Sequence, residues 1–281
     1  MQTSPFLSAI GGDDIEARFQ AWRSAGAQDA SVVPGLLKLT ESPKPGVAKA
    51  AAEALTTMAH AVGKDTGDPR RGALVQALLA KPSPLNFRLL SLIAGEDAVP
   101  QIAKSIGSAE LREEVVYCLE RVPGPASDAA LIKAYALAED NFKPRILAAL
   151  GHRRSADALP IVMQAMMGGN VDISLAGTKA LGRIGKKPST AFKFPSTDGL
   201  STWQRFDSLD AQLRYADSQR SVEIYREFLT RPEEHYQCAA LVGLGKIGTA
   251  EAAQLIYTKL KSPQRSVKVT ALRAWERIAR A

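Results

Sequence analysis

The run VGLGKIG, at residues 242–248, is the stretch of this sequence whose residue types and spacing most suggest chemistry. Its three glycines fit G-x-G-x-x-G, the loop whose backbone N–H groups hold a pyrophosphate in dinucleotide-binding proteins. That motif also needs an acidic residue about 20 positions later to bind the ribose. After Glu251 the next acidic residue is Glu276, so the ribose ligand is absent. The run therefore does not predict a nucleotide site.

Other patterns that carry chemistry are missing from the sequence. The three histidines, His60, His152 and His235, do not pair with one another at the one-turn spacing that a helix-borne metal site uses. No G-x-S-x-G run is present, so a serine hydrolase of that form is not indicated. Cys118 and Cys238 lie far apart in helical patterns, which argues against a disulfide framework. We therefore predict no catalytic residues, no metal site and no cofactor, and we favour a protein that is not an enzyme.

A repeat accounts for the glycines better. Equivalent positions in CLERV, ALGHR, ALGRI, GLGKI and AWERI, which we call anchors, are occupied by Leu119, Leu150, Leu181, Leu244 and Trp275. Successive anchors are 31 residues apart, except between Leu181 and Leu244, which are 63 residues apart. This interval corresponds to two periods plus one residue, and Leu213 near its middle is the predicted anchor of the intervening repeat. Each period contains two stretches with apolar residues at helical spacing, separated by a break. The sequence therefore predicts a series of helix pairs.

Composition agrees with this prediction, because 46% of the residues are hydrophobic but only 6% are aromatic, and Ala and Leu favour helix over strand. Gly185 and Gly248 follow second helices and are predicted to end them in the left-handed conformation. Gly182 and Gly245 follow an anchor directly and are predicted to let neighbouring helices approach closely. The predicted fold is all-α: an α-solenoid (superhelix) of stacked antiparallel helix pairs, about 31 residues per repeat.

The runs SLAGTKALGRIG and AALVGLGKIGTAEAAQLIYTKL resemble the HEAT-repeat family, in the short form typified by phycobilisome-lyase HEAT-like repeats. The resemblance is clear over residues 96–187 and 219–281 and looser over residues 29–95. It implies that the second helix of each pair lines a concave face. Families with this repeat include scaffolds, chromophore lyases, a metal-dependent hydroxylase and DNA glycosylases. The hydroxylases use His-Glu pairs, and no such dipeptide occurs here, so that activity is disfavoured.

The repeat pattern divides the chain and also shows where it is interrupted. We predict an N-terminal tail or cap at residues 1–28 and a HEAT-like solenoid at residues 29–281, with an irregular loop at residues 186–202 in place of a first helix. In and beside this loop, three aromatic residues either anchor a ligand or fill the gap left by the lost helix: Phe192, Phe194 and Trp203. Residues 61–72 are predicted to form a second, solvated loop.

A row of basic residues recurs with the repeat. The formal net charge of +7 comes from residues 141–281, because the preceding half is slightly acidic. The position two residues after the anchor is predicted to point away from the core, and it holds Arg121, His152, Arg183, Lys246 and Arg277, with Tyr215 in the degenerate repeat. Lys179 and Arg273 lie one helical turn before two of these residues. These seven basic residues, the predicted basic row, either bind a polyanion or merely offset the partial negative charge of helix C-termini.

Three functional hypotheses follow. We favour a non-enzymatic scaffold or adaptor that binds a protein partner on its concave face, through an acidic segment of that partner. The alternatives are a nucleic-acid-binding or DNA-repair solenoid of the glycosylase type, and a phycobilisome-lyase-like protein that handles a bilin or its carrier protein. No apolar stretch is long enough to span a membrane, no signal peptide is evident, and we expect a cytoplasmic location. The oligomeric state does not follow from the sequence.

Overall fold

A computed structural model describes residues 4–189 and 191–280 of the protein. All regular secondary structure in these residues is helical, with seventeen α-helices, short 3₁₀ turns and no strand. The chain divides into two compact units, which meet in the sequence between Leu137 and Ala138. Within each unit the helices stack as antiparallel pairs, so the predicted all-α solenoid architecture is confirmed.

The first unit contains nine helices in its described residues. These are α1 (Pro5–Gly11), α2 (Ile15–Arg23), α3 (Val33–Leu39), α4 (Pro45–Gly63), α5 (Arg71–Leu79), α6 (Pro84–Ile93), α7 (Val99–Ala103), α8 (Arg112–Arg121) and α9 (Pro125–Leu137). The helices α4, α6 and α8 pack in succession, and α3, α5 and α7 pack beside them as first helices. The N-terminal helices α1 and α2 pack on α4, where Ile10 is fully buried.

The second unit contains eight helices in its described residues. These are α10 (Lys143–His152), α11 (Leu159–Met166), α12 (Val171–Ile184), α13 (Thr202–Gln219), α14 (Val222–Leu229), α15 (Glu234–Ile247), α16 (Ala250–Lys259) and α17 (Arg265–Ala279). The second helices α10, α12 and α13 pack in succession, as do α15 and α17. The anchors Leu150, Leu181 and Leu244 are fully buried, as their period predicts.

Small residues set the distance between neighbouring second helices. A Cβ atom added to Gly151 would lie 2.9 Å from the Cα of Ala180, and one added to Gly182 would lie 2.5 Å from the carbonyl oxygen of Ala211. The equivalent contact joins Gly245 to Ala274, at 3.1 Å. Gly151 and Gly182 therefore allow a helix approach that a Cβ would prevent, and Gly245 lies in a tighter contact than most Cβ atoms make. The sequence predicts this close approach at Gly182 and Gly245.

The G-x-G-x-x-G run lies at the end of α15 and is not a phosphate-binding loop. Gly248 follows this helix with a φ of 72°, and Gly185 follows α12 with a φ of 63°. Both glycines end a helix in the left-handed conformation. The next helix begins at once, because the Thr249 side chain accepts a hydrogen bond from the Ala252 amide.

The irregular segment before α13 has no helix or strand at residues 186–189 and 191–201. Phe192 and Phe194 are half-buried and contact each other edge to face. Each ring centroid also lies 5.7 Å from that of Tyr215, which is buried on α13. These phenylalanines therefore cover the side of α13 in the repeat that lacks a first helix. Ser201 then caps α13 together with Gln204.

The register of α13 differs by one residue from the sequence prediction. Since Ala211 packs against Gly182 as Ala180 packs against Gly151, the residue at the anchor position is Gln212 and not Leu213. Gln212 is 2% exposed, and its Nε2 donates a hydrogen bond to Ser208. The outward position two residues later is consequently Arg214. Tyr215, which the sequence placed there, is buried.

The second expected loop, at residues 61–72, is not simply solvated. The Arg70 guanidinium pairs with Asp68 at 2.6 Å and donates hydrogen bonds to the carbonyl oxygens of Gly26 and Gln28, at 2.7 and 2.9 Å. Hydrogen bonding to Arg70 lowers the pKa of the Asp68 carboxyl to about 2. The loop therefore fastens the start of α5 to the turn that follows α2.

Candidate anion-binding site

A cleft in the second unit brings four basic side chains together. It has a volume of about 420 Å³ and lies at the C-terminal ends of α10 and α12, against α13. The charged or titratable residues that line it are His152, Arg154, Arg183 and Arg214, which we call the basic cleft. Gly151, Gly182, Ile184, Gly185 and Ser218 complete its lining, so no carboxylate lines the cleft within the described residues.

Each basic side chain is positioned by a feature of the repeat. His152 and Arg183 follow the anchors of α10 and α12 by two residues, and Arg214 holds the corresponding place on α13. His152, Arg154 and Arg214 are exposed, and Arg183 is half-buried. Arg154 follows α10 with a φ of 53°. The period thus brings three side chains to one edge of three stacked helices.

Arg154 occupies a backbone position that usually favours glycine. The Arg154 amide donates a hydrogen bond to the carbonyl oxygen of Gly151. The Ser155 amide donates to the carbonyl oxygen of Leu150, and together these two bonds close the end of α10. Thirty-one residues later the same place is held by Gly185. A residue with a Cβ in the left-handed conformation costs roughly 1–2 kcal/mol, so an arginine here is not explained by backbone geometry.

Sequence reasoning did not identify Arg154 and Arg214, although a signal for each was present. Aligning the helix ends at the period shows arginine at position 154 where glycine stands at position 185. Counting 31 residues forward from Leu181, instead of backward from Leu244, gives residue 212 as the anchor and 214 as the outward position.

Other members of the predicted basic row lie elsewhere. Arg121 is in the first unit, where its guanidinium lies over the Tyr117 ring at 3.9 Å. Lys246 is exposed on α15, and Arg273 and Arg277 are exposed on α17, where they line a separate shallow depression. The structure therefore gathers only two of the seven predicted basic residues, His152 and Arg183, into the basic cleft.

Lys179 is partly neutralised by its surroundings. Its ammonium group lies 2.7 Å from a carboxylate oxygen of Asp207 on α13. The side chains are 38% and 51% exposed, so this is a surface ion pair between α12 and α13. Lys179 therefore contributes less positive charge to the helix face than its place in the row suggests.

Trp203 is the predicted aromatic residue that remains accessible. It lies in the first turn of α13, is 81% exposed and contacts Phe206 edge to face. This differs from Phe192 and Phe194, whose rings pack on Tyr215. Of the three aromatic residues predicted to bind a ligand, Trp203 is therefore the one whose side chain is largely exposed.

Other chemistry finds little support in the described residues. No group of three or more His, Cys, Asp or Glu side chains comes together in the arrangement of a metal site there. Cys118 is buried, and burial raises the pKa of its thiol to about 12, which disfavours the reactive thiolate at neutral pH. None of the helices described has both the length and the apolar character needed to cross a bilayer.

Comparisons with known proteins add little on function. The sequence matches no protein family profile and no curated protein. A crystal structure of an engineered protein is similar with a TM-score of 0.43 and 19% identity, covering 98% of this chain and 88% of that one. A structure of human deoxyhypusine hydroxylase in complex with glycerol is similar with a TM-score of 0.34 and 15% identity, covering 81% of this chain and 98% of that one.

Proposed function

We propose that this protein is a non-enzymatic scaffold of the HEAT-repeat type, which binds an acidic segment of a protein partner at the basic cleft. The observation that carries this proposal is the convergence of His152, Arg154, Arg183 and Arg214 on one cleft without a carboxylate in its lining. Carboxylate side chains on a flexible partner would form charge-assisted hydrogen bonds with these guanidinium groups.

Arg214 distinguishes ligand binding from a purely structural role. A cation in the last turn of a helix offsets the dipole of that helix, but the effect falls off within one turn. The helix α13 continues to Gln219, so Arg214 lies more than one turn before its end. Within the described residues, the Arg214 side chain forms no hydrogen bond or ion pair. Neither the dipole of α13 nor a hydrogen bond or ion pair within the described residues explains why position 214 holds an arginine.

An acidic peptide fits this surface better than a nucleic acid. A nucleic-acid backbone needs a continuous track of cations along many phosphates. On this helix face Asp207 partly neutralises Lys179, and Asp210 is also exposed on α13. Binding of single strands also uses several exposed aromatic side chains for stacking. On α13 only Trp203 meets that description among the described residues.

The test uses two probes of equal charge, a Glu-rich peptide and a single-stranded DNA oligonucleotide, titrated at low and physiological salt. We expect the peptide to bind more tightly, with an affinity that falls with salt. The double variant Arg183→Gln/Arg214→Gln should weaken peptide binding at least about tenfold, since each arginine contributes a charge-assisted hydrogen bond. The matched control Lys261→Gln/Lys268→Gln removes two exposed charges outside the cleft. Tighter DNA binding, or equal loss in the control, contradicts the proposal.

A further inference from the structure

Two arginines in the described residues adopt the left-handed backbone conformation, and only one of them has a structural use. Arg220, with a φ of 50°, follows α13 and donates hydrogen bonds to the carbonyl oxygens of Lys246 and Ile247, at 3.0 and 3.3 Å. It thereby caps the end of α15. Arg154 has a φ of 53°, but its side chain forms no hydrogen bond or ion pair within the described part of the chain. Its guanidinium lines the basic cleft instead.

The combined charge of Arg154 and Arg214 suits a dianion. Three guanidinium groups and an imidazole line one cleft of about 420 Å³. A single carboxylate offers one negative charge, which does not match the two guanidinium charges of Arg154 and Arg214. A phosphate monoester offers three terminal oxygens and a charge of about −1.5 to −2, and planar guanidinium donors match it in pairs.

We propose that the basic cleft binds the phosphate group of a phosphorylated serine or threonine within the partner's acidic segment. Arg154 and Arg214 hold the phosphate from opposite sides of the repeat junction, one following α10 and the other on α13. Acidic residues beside the phosphorylated one contact the remaining basic residues of this helix face. This inference rests on the proposed function and deepens it, because it names the group that the cleft selects.

The experiment measures fluorescence anisotropy with a labelled Glu-rich peptide that contains one phosphoserine, and with the same peptide containing serine. We expect the phosphopeptide to bind about tenfold more tightly, as one or more added charge-assisted hydrogen bonds would produce. The variants Arg154→Gly and Arg214→Gln should remove most of this preference and leave the affinity for the serine peptide less affected. Equal affinity for both peptides would overturn the phosphate assignment but leave the proposed function standing.

Arg154→Gly is an informative variant because glycine is the residue that the backbone at this position favours. Its unfolding temperature should equal or exceed that of the unchanged protein while phosphopeptide binding falls. Loss of binding together with a lower unfolding temperature would indicate a structural role for Arg154 and overturn the proposal.

Two competition experiments test whether the phosphate group that binds the cleft belongs to a protein segment, to free phosphate or to a nucleic acid. Inorganic phosphate should displace the phosphopeptide only at concentrations far above that of the unlabelled phosphopeptide. An oligonucleotide with a 5′-phosphate should compete no better than the same oligonucleotide without it. Competition by free phosphate at equal concentration, or by the 5′-phosphate selectively, would contradict a phosphorylated protein segment as the ligand.

Discussion

Gly182 determines how closely α12 and α13 pack. A Cβ on this residue would lie 2.5 Å from the carbonyl oxygen of Ala211, an atom of a helix backbone that cannot move independently. We expect Gly182→Ala to destabilise the second unit by about 1–3 kcal/mol, because the cost of overpacking exceeds the gain in helix propensity. Urea unfolding followed by circular dichroism measures this change.

Gly72, in the first turn of α5, provides the control for this substitution. A Cβ on Gly72 meets no atom within 4 Å. Gly72→Ala should therefore leave stability unchanged or raise it by up to about 1 kcal/mol. If the two variants lose the same stability, the close approach at Gly182 is not the cause.

The pairing of Asp68 with Arg70 makes the first unit sensitive to acid. In the folded protein the pKa of Asp68 is lowered from 3.8 to about 2 by its hydrogen bonds to Arg70. Since the folded-state pKa is the lower one, the charged carboxylate adds stability above pH of about 4, and this contribution is lost as the pH falls towards about 2. Asp68→Asn should lower stability at neutral pH and flatten this part of the acid-unfolding curve. An unchanged curve for the variant would contradict the pairing.

The structural role of a residue could be predicted from sequence where the repeat determines it. It could not be predicted where contacts with distant parts of the chain determine it. The roles of Gly182, Gly185 and Gly248 follow from their places in the period. The two carbonyl oxygens that Arg70 binds lie 42 and 44 residues earlier in the chain, so local sequence could not reveal them. The place of Arg214 was missed because one extra residue lies between α13 and α15.

At the scale of elements, the irregular segment before α13 replaces a helix by packing two aromatic rings. Phe194 is half-buried against Tyr215, whereas Trp203 is 81% exposed. Phe194→Ala should therefore cost about 1–3 kcal/mol, less than a fully buried phenylalanine, and Trp203→Ala about 0.5 kcal/mol or less. Thermal unfolding of both variants gives the comparison. The reverse order would show that Trp203, and not Phe194, supports the fold.

The ion pair between α12 and α13 limits the positive charge of this helix face. Lys179 and Asp207 are both more than one-third exposed, so their pair contributes at most about 1 kcal/mol to stability. Asp207→Asn should leave stability nearly unchanged and tighten binding of a Glu-rich peptide up to about fivefold, because it releases a cation one turn from Arg183. Titration calorimetry checks this expectation. Unchanged affinity would place Lys179 outside the path of the ligand.

The order and type of the helices could be predicted from sequence because the period repeats the same burial pattern. The helices α15, α16 and α17 follow the expected first-helix and second-helix plan. The packing of the segment before α13 could not be predicted, since it contains no periodic apolar pattern and its rings meet α13 only in three dimensions.

At the scale of the whole molecule, stacked helix pairs do not specify a function. The repeat that buries Leu150 and Leu181 also places a basic residue two positions after the anchor on α10, α12 and α13: His152, Arg183 and Arg214. In the second unit, three of these positions and the helix-ending Arg154 form the basic cleft. The proposed binding function therefore depends on the side chains that the repeat leaves exposed at one junction, and not on the fold itself.

Binding at the basic cleft is tested by recording the NMR spectrum of the arginine side-chain Nε–H groups during titration with the acidic phosphopeptide. Spectra of Arg154→Gly and Arg214→Gln assign the two relevant signals by their absence. We expect the signals of Arg154 and Arg214 to shift and saturate together at one equivalent of peptide, while those of Arg273 and Arg277 stay in place. Binding that shifts Arg273 and Arg277 and leaves Arg154 and Arg214 unchanged would contradict binding at the basic cleft.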